Sequence, residues 1–396
     1  MEILRIIGTI LILLLIAGLY IFTCYYIGLR GRKALYHGNK KLWNKLYWIL
    51  FWFTALSYIL SLICRKIFSV NNILTSIFTA IGTIWLAAVC YLFILFLTAD
   101  IIRFILNKVG YKGKLRKYMS RFYASGAAVL MTVLIILIFG VYTAVHPVLT
   151  TYNLNINKKA GKLSSLNIVL VSDIHMGISV KEDGLNRMVN SINKLKPDIV
   201  FMCGDMVDES TNTKLKAYSS KVFKNIKSKY GVFAVTGNHE YIEGDLPETL
   251  YYLKKGNVSV LQDKVVKIDD SFYVAGRNDI SSKYTKEGVK PLGKLLYGTD
   301  RNLPVIVLNH QPQNLKEPEE NKVDLQLSGH THKGQFFPNN IITKFMYEDD
   351  YGYLKKGNFN LIVTSGYGTW GPPIRIGTKS EMVRIKVNFR SSFGAE

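Results

Sequence analysis

The sequence predicts a four-helix transmembrane region followed by an α/β domain. Two observations carry that reading. Four apolar stretches lie within the first 150 residues, each long enough to cross a bilayer, which takes about 20 residues. From about Leu163 onward the pattern changes to short β-branched runs that end at polar turns and alternate with helix-patterned segments, the signature of an α/β domain. Length and composition agree. The chain has 396 residues, 49% of them hydrophobic, and a mean hydropathy of +0.15. It is long enough for a membrane part, residues 1–150, and a soluble part, residues 151–396.

The four predicted spans cover residues 6–29, 46–64, 73–97 and 124–145. The first is too long for the apolar core of a cleaved leader, and Arg30-Gly31-Arg32-Lys33 follows it with no small-residue cleavage site. Trp43, Tyr47, Trp48 and Trp52 cluster near one end of the second span, as an interfacial aromatic belt does. The net charge of +22 is unevenly spread. Residues 1–150 hold 16 Lys/Arg against Glu2 and Asp100 alone, and the remainder has a net charge of only +8. The excess sits in loops, so it reads as a topology signal rather than a polyanion-binding face. The loop after span one carries Arg30, Arg32, Lys33, Lys40, Lys41 and Lys45; the loop after span three carries Arg103, Lys108, Lys112, Lys114, Arg116, Lys117 and Arg121. The positive-inside rule places both in the cytoplasm, which leaves everything after about His146 outside the cell. No ionisable side chain falls clearly within the apolar cores, so a multi-pass anchor is favoured over a transporter. The bilayer is the partner this implies; nothing points to a protein partner.

In the soluble part, residues 166–171 read as a buried strand, and Leu185, Met188, Val189, Ile192 and Leu195 then share one helical face. Pro197 stops that helix, and further strands are expected at 199–202, 232–235, 272–275, 305–308, 325–327, 361–364 and 383–387. The four cysteines show no C-x-x-C spacing, so neither a disulfide framework nor a thiolate zinc site is expected. There is no internal repeat.

Five polar motifs stand at the ends of these strands, where α/β folds place their sites. They are Asp173-Ile174-His175, Gly204-Asp205-Met206-Val207-Asp208, Gly237-Asn238-His239-Glu240, Asn309-His310 and Gly329-His330-Thr331-His332. Taken singly, most have bland readings: Asp and Gly form turns, and a lone strand-end His is more often structural. In the first motif, residues i and i+2 of an extended segment point the same way, so a carboxylate and an imidazole can meet one cation. The histidines decide the matter together. The chain has seven, and only His37 and His146 lie outside these motifs. Mixed Asp, Asn and His donors without thiolate suit Mn, Fe or Zn. The number of donors exceeds one tetrahedron and fits two divalent ions about 3.5 Å apart.

The order D-x-H, G-D-x-x-D, G-N-H-E, H, G-H-T-H resembles the calcineurin-like metallophosphoesterases, over nearly all of residues 165–390. Gly366-Tyr367-Gly368-Thr369-Trp370-Gly371-Pro372-Pro373-Ile374-Arg375-Ile376-Gly377 is similar to a late loop of their membrane-associated bacterial branch. The resemblance implies two facing mixed β-sheets flanked by helices. It implies that Asp173, His175, Asp205 and His332 hold one metal and that Asp205, Asn238, His310 and His330 hold the second. His239 would stand off the metals and protonate the leaving group, with Asp208 hydrogen-bonded to it. The implied reaction is phosphoester or pyrophosphate hydrolysis by a hydroxide generated between the two ions. One departure stands out: Lys333 follows the last His, where that branch commonly has Gly.

The substrate is less legible. Phe336-Phe337-Pro338, Ile341-Ile342 and Phe345-Met346 follow the last ligand motif directly. They read either as an apolar rim for a lipid-linked phosphate or as ordinary core packing. A nuclease or cyclic-nucleotide phosphodiesterase is the enzymatic alternative, although no basic run interleaved with aromatics supports nucleic-acid tracking. A non-catalytic membrane scaffold that retained the fold is the third reading.

Overall fold

A computed structural model describes residues 2–35, 41–68, 72–114, 118, 126–243, 245–284 and 288–390. The chain forms two compact units, Met1–Phe139 and Gly140–Glu396.

The first unit is built from α1 (Glu2–Leu35), α2 (Lys41–Ile67), α3 (Ile73–Lys108) and most of α4 (Gly126–Val145). All four helices are long and apolar enough to cross a membrane. Ala124 and Ser125 of the fourth predicted span, and Lys40, Arg116, Lys117 and Arg121 of the basic loops, lie outside the described residues. Helix α3 runs past the predicted end of its span to Lys108, and beyond that end it carries Asp100, a partly buried acid paired with α1. Arg30 Nη2 donates to Asp100 Oδ1 at 2.6 Å and Oδ2 at 2.5 Å, and the Tyr26 hydroxyl donates to the same carboxylate. Helices α2 and α3 approach closely at Gly82, where a Cβ would collide with the backbone of Tyr58. Such small-residue contacts replace the hydrophobic effect, which does not drive helices together in lipid.

The second unit contains two six-stranded mixed sheets. The first is ordered β1 (Val148–Ile156), β12 (Glu381–Phe389), β2 (Ser165–Val171), β3 (Ile199–Cys203), β4 (Val232–Val235), β5 (Val258–Val260). The second is ordered β10 (Gly352–Lys356), β11 (Phe359–Val363), β9 (Leu325–Ser328), β8 (Val305–Leu308), β7 (Phe272–Gly276), β6 (Lys264–Ile268). Strands β2, β3, β4 and β5 are mutually parallel, as are β7, β8, β9 and β11. The central strands read as unbroken apolar runs, Ile199-Val200-Phe201-Met202-Cys203 and Val305-Ile306-Val307-Leu308, because both faces of each are buried.

The sheets face each other across one core. Ile168, Leu170 and Phe201 from the first sheet meet Phe272, Ile306 and Leu327 from the second. Helices α5 (Glu182–Lys194), α6 (Thr213–Phe223) and α8 (Leu246–Lys255) cover the outer face of the first sheet. Leu185, Met188, Val189 and Ile192 of α5 are the buried stripe, as the 3.6-residue period predicts. Two short helices, α9 (Leu292–Leu295) and α10 (Lys316–Glu320), flank the second sheet. The expected fold is present, with four strands the sequence reading did not list: β1, β5, β6 and β10. These are the four edge strands of the two sheets, with alternating or half-exposed patterns, a weaker signal than a buried run.

Phe272 is fully buried between the sheets. Phe272→Ala should cost about 3–5 kcal/mol, the usual range for an aromatic cavity. In a thermal melt of the full chain in detergent, that should lower the midpoint by on the order of 10 °C. An unchanged midpoint would mean this ring is not part of the cooperative core.

Candidate metal centre

All five motifs leave the same ends of parallel strands: β2, β3 and β4 in one sheet, β8 and β9 in the other. The parallel registers therefore bring the five loops to one edge of the sandwich. Asp173, His175, Asp205 and His310 are buried; Asn238 and His330 are only half-exposed.

The donor atoms form two groups that share Asp205. On one side His175 Nε2 and His332 Nε2 lie 3.1 Å apart, His332 Nε2 is 3.4 Å from Asp173 Oδ1, and His175 Nε2 is 3.9 Å from Asp205 Oδ2. On the other, His310 Nε2 lies 3.0 Å from Asp205 Oδ2 and 3.2 Å from Asn238 Oδ1. His330 Nδ1 is 2.9 Å from the same amide oxygen. Among the described residues, three sets of His and Asp residues have donor atoms close enough for one ion: Asp173, His175 and His332; Asp205, His310 and His330; and His175, Asp205 and His239. The structure thus gathers all seven residues expected to be ligands, and His239 stands beside them.

Local sequence explains how the loops reach this geometry. Asp173, His175, Asp205, His330 and His332 all have positive φ, between 46° and 71°. The D-x-H pair is therefore not on an extended segment, as the sequence reading assumed. Its backbone instead pairs with the next loop, Asp173 N donating to Gly204 O and His175 N to Asp205 O. Left-handed non-glycine residues persist only where the surroundings over-determine them, and here several buried groups do so. Asp173 accepts the His330 N–H at both carboxylate oxygens, at 2.9 and 3.1 Å. Glycine precedes Asn238 and His330 because a Cβ at Gly237 would collide with Asp205 Oδ1, and one at Gly329 with Asp173 Oδ2. Lys333 adopts φ 51° and ψ 38°, the backbone reason for glycine at that position. Its Nζ lies 4.1 Å from the centre of the Tyr351 ring, so the extra cation is stacked on an aromatic face.

These residues fit divalent cations. Burial pushes the His175 imidazole down to about 3, His330 to about 4, and His332 well below its ordinary range, so these rings are neutral and offer lone pairs. Burial would raise Asp205, but His310 holds it below the usual carboxylate range. His310 Nδ1 lies 2.7 Å from Cys203 O, so Nδ1 carries a hydrogen; burial pushes this ring down, but Asp205 beside Nε2 raises it well above its ordinary range, and Nε2 is the atom at which a cation would take the place of a proton. Neutral ring nitrogens facing one another around buried carboxylates are compensated by a positive ion, and the all-N/O set suits a hard or borderline metal. The Cys203 thiol instead points at Leu327 O.

The expected pairing of Asp208 with His239 is not formed. Asp208 Oδ1 accepts from Ser210 N and Ser210 Oγ, each at 2.6 Å, closing a turn beneath Gly177, and burial raises its carboxyl to about 7. His239 lies in the first turn of the short helix α7 (Asn238–Ile242), which puts Glu243 one turn away; His239 Nδ1 and Glu243 Oε1 are 3.1 Å apart. Burial pushes the His239 ring down, but Glu243 and then Asp205 more than offset this and bring it to about 9.

Sequence reasoning also passed over Glu240 and Arg375. Glu240 accepts from the N–H groups of Gly237, Asp205, Met206 and Val207 at 2.6–3.2 Å. Its position three residues into a helix start, a capping-box pattern, was the available signal. Arg375 is fully buried; it donates to Ser365 O at 2.5 Å, Gly368 O at 2.6 Å and His332 O at 3.2 Å. A lone Arg in a glycine-rich loop carried no comparable signal.

A buried, thiolate-free cluster of Asp, Asn and His at one edge of two facing mixed sheets is the arrangement of a protein that could hold divalent metal ions. Residues 166–334 match the family described as calcineurin-like phosphoesterase. The chain is 34% identical over 254 residues to a metallophosphoesterase of Aquifex aeolicus, covering 60% of this chain and 94% of that protein. It is 33% identical over 224 residues to a metallophosphoesterase of Helicobacter pylori, covering 56% of this chain and 60% of that protein. It is 30% identical over 292 residues to a bovine transmembrane protein with a metallophosphoesterase domain, covering 70% of this chain and 64% of that one. The chain thus spans less than two thirds of the length of the latter two proteins. It belongs to the calcineurin-like phosphoesterase family, whose members use divalent metals, and that membership points to metal-dependent phosphoester hydrolysis. The four apolar helices, together with a transmembrane relative, mark it as a membrane protein.

Glu240→Ala should leave four buried N–H groups without their acceptor. Metal affinity should fall about 10–100-fold, as for other residues that support ligands, measured by titrating apo protein with Mn²⁺ or Zn²⁺. Unaltered affinity would show that the two loops hold their positions without this carboxylate.

Proposed function

We propose that the protein is a phosphohydrolase that uses two divalent cations. The observation that carries this is the sharing of Asp205 between two groups of donors, with His239 beside them. Asp173, His175, Asp205 and His332 would hold one ion, and Asp205, Asn238, His310 and His330 the other. Bound there, the cations supply Lewis acidity, acidifying water and screening phosphoryl charge.

The chain's own residues do the rest. Asp205 fixes the spacing between the two donor groups, and its Oδ1 also accepts the His239 N–H at 2.9 Å. That bond ties the position of the proposed acid to the shared carboxylate. Glu243 engages His239 Nδ1 and orients the ring, leaving Nε2 to protonate the departing oxygen. The Trp370 ring, 6.3 Å from His239 between centres and 55% exposed, offers an apolar wall beside that acid. In this reading residues 1–150 are the anchor and residues 151–396 the catalytic part. The bilayer would be the partner, and the charge distribution of the loops supports a catalytic part that faces outside the cell.

A second, narrower reading concerns the substrate: a lipid-linked phosphate or pyrophosphate. It is favoured by α11 (Asn339–Met346), which packs against the turn that begins at His332 and buries none of its residues. Ile341, Ile342, Phe345 and Met346 are 47–86% exposed, so the segment after the last ligand motif is not core packing. Exposed apolar side chains this close to a polar centre suit a substrate with an apolar tail.

His239→Ala should retain metal content and lose roughly 10²-fold or more in turnover, whereas loss of both metals would show that His239 is a ligand. Phosphomonoesters, diesters, pyrophosphates and lipid phosphates in vesicles would be assayed side by side. Ile342→Ser with Phe345→Ser should spare a water-soluble ester and lower the rate on a vesicle-embedded lipid phosphate by on the order of tenfold. Wild-type protein that cleaves soluble esters far faster than every lipid phosphate would remove the narrower reading.

A further inference from the structure

A second cavity lies within the Gly140–Glu396 unit and includes none of the seven donor residues. It has a volume of about 630 Å³, and its lining includes Val145, Val148, Leu149, Arg187, Lys194 and Tyr367. Three features set its chemistry. Val145 is the last residue of the fourth apolar helix, so the cavity begins where the chain leaves its membrane span. Val145, Val148 and Leu149 are 38–50% exposed, an apolar wall continuous with that span. Arg187, Ser191 and Lys194 fall at i, i+4 and i+7 on α5, opposite the buried Leu185, Met188 and Ile192, and so present one polar stripe to the cavity. Among the described residues no carboxylate pairs with Arg187 or Lys194.

We infer that this cavity binds an anionic phospholipid of the host membrane. Two cations without counter-ions, one a guanidinium whose planar fork matches a phosphate, sit at the rim. The apolar wall below them suits the upper part of an acyl chain. Basic residues next to a membrane span are where acidic headgroups are held. A soluble phosphate would leave the wall formed by Val145, Val148 and Leu149 in water, so the lipid is the occupant to which both halves of the cavity correspond. The inference goes beyond the proposed hydrolysis and does not depend on it. Tyr367, on the far wall, donates its hydroxyl to Gly184 O at 3.1 Å, and its own N–H goes to Ser172 O, next to Asp173. The lipid would therefore rest against the loop that backs the metal centre.

The full chain would be reconstituted in nanodiscs of phosphatidylcholine with a minor fraction of phosphatidylglycerol, then released, and its retained lipids weighed by native mass spectrometry. Wild-type protein should retain phosphatidylglycerol. Arg187→Ala with Lys194→Ala should weaken that retention about 30-fold, from roughly fivefold per juxtamembrane cation. The charge-preserving pair Arg187→Lys and Lys194→Arg should keep it, and Lys227→Ala with Lys229→Ala, elsewhere on the domain, should leave it unchanged. Equal retention by the wild type and the Arg187/Lys194 double alanine variant would overturn the assignment, as would equal losses in that variant and the Lys227/Lys229 control. Retention of metal by the double alanine variant establishes that it is folded, whatever the outcome of the phosphohydrolase assays.

Discussion

The buried carboxylate of Glu240 accepts four backbone N–H groups from two different loops, and the position of Asp205 depends on that arrangement. Gly237, Asp205, Met206 and Val207 all donate to it. A carboxylate buried among backbone donors is satisfied only if every loop that supplies a donor stays in place. Asp205 in turn sits between His175 and His310 and accepts the His239 N–H. Both donor groups and the candidate acid are therefore referenced to one fixed point. Arg375 does the equivalent work on the opposite side, tying His332 to the glycine-rich loop that covers Asp173. An anion and a cation, neither touching the donor atoms on the metal side, thus brace the two halves of the centre.

That bracing explains how five left-handed donor residues coexist in one small region. Each such conformation costs about 1–3 kcal/mol at a non-glycine residue, and a loop left to itself would relax. Here the turns are locked by Asp173, which caps the His330 N–H, and by the strand-like pairing of the loops after β2 and β3. Stiffness matters for the chemistry, because a donor set held in advance does not have to reorganise when charge develops.

Much of this was legible in the sequence, and for definite reasons. The central strands announced themselves because burial on both faces demands unbroken apolar runs, as in Val305-Ile306-Val307-Leu308. The ligands were legible because His is scarce in this chain and concentrated at strand ends. What sequence could not show was which acid accompanies His239. Asp208 lies in a neighbouring motif and Glu243 one helical turn on; the choice fell to Glu243 because α7 continues for a turn past His239, whereas Asp208 is consumed by Ser210. Edge strands such as β10 were missed because a half-solvated strand has little pattern to distinguish it from a loop.

The order of strands in the first sheet has a consequence for biosynthesis. Strand β12 lies between β1 and β2, parallel to one and antiparallel to the other. Strands β1 and β2 therefore never pair, although only eight residues separate Ile156 from Ser165. During translation the segment that leaves the last span emerges first, yet the slot beside it stays open until residues 381–389 have been made. Throughout that interval β1 and β2 each present an unpaired edge. Closure of the sheet is consequently a late event, and a chain stalled before Glu381 would hold its metal-site motifs on a scaffold that had not yet shut.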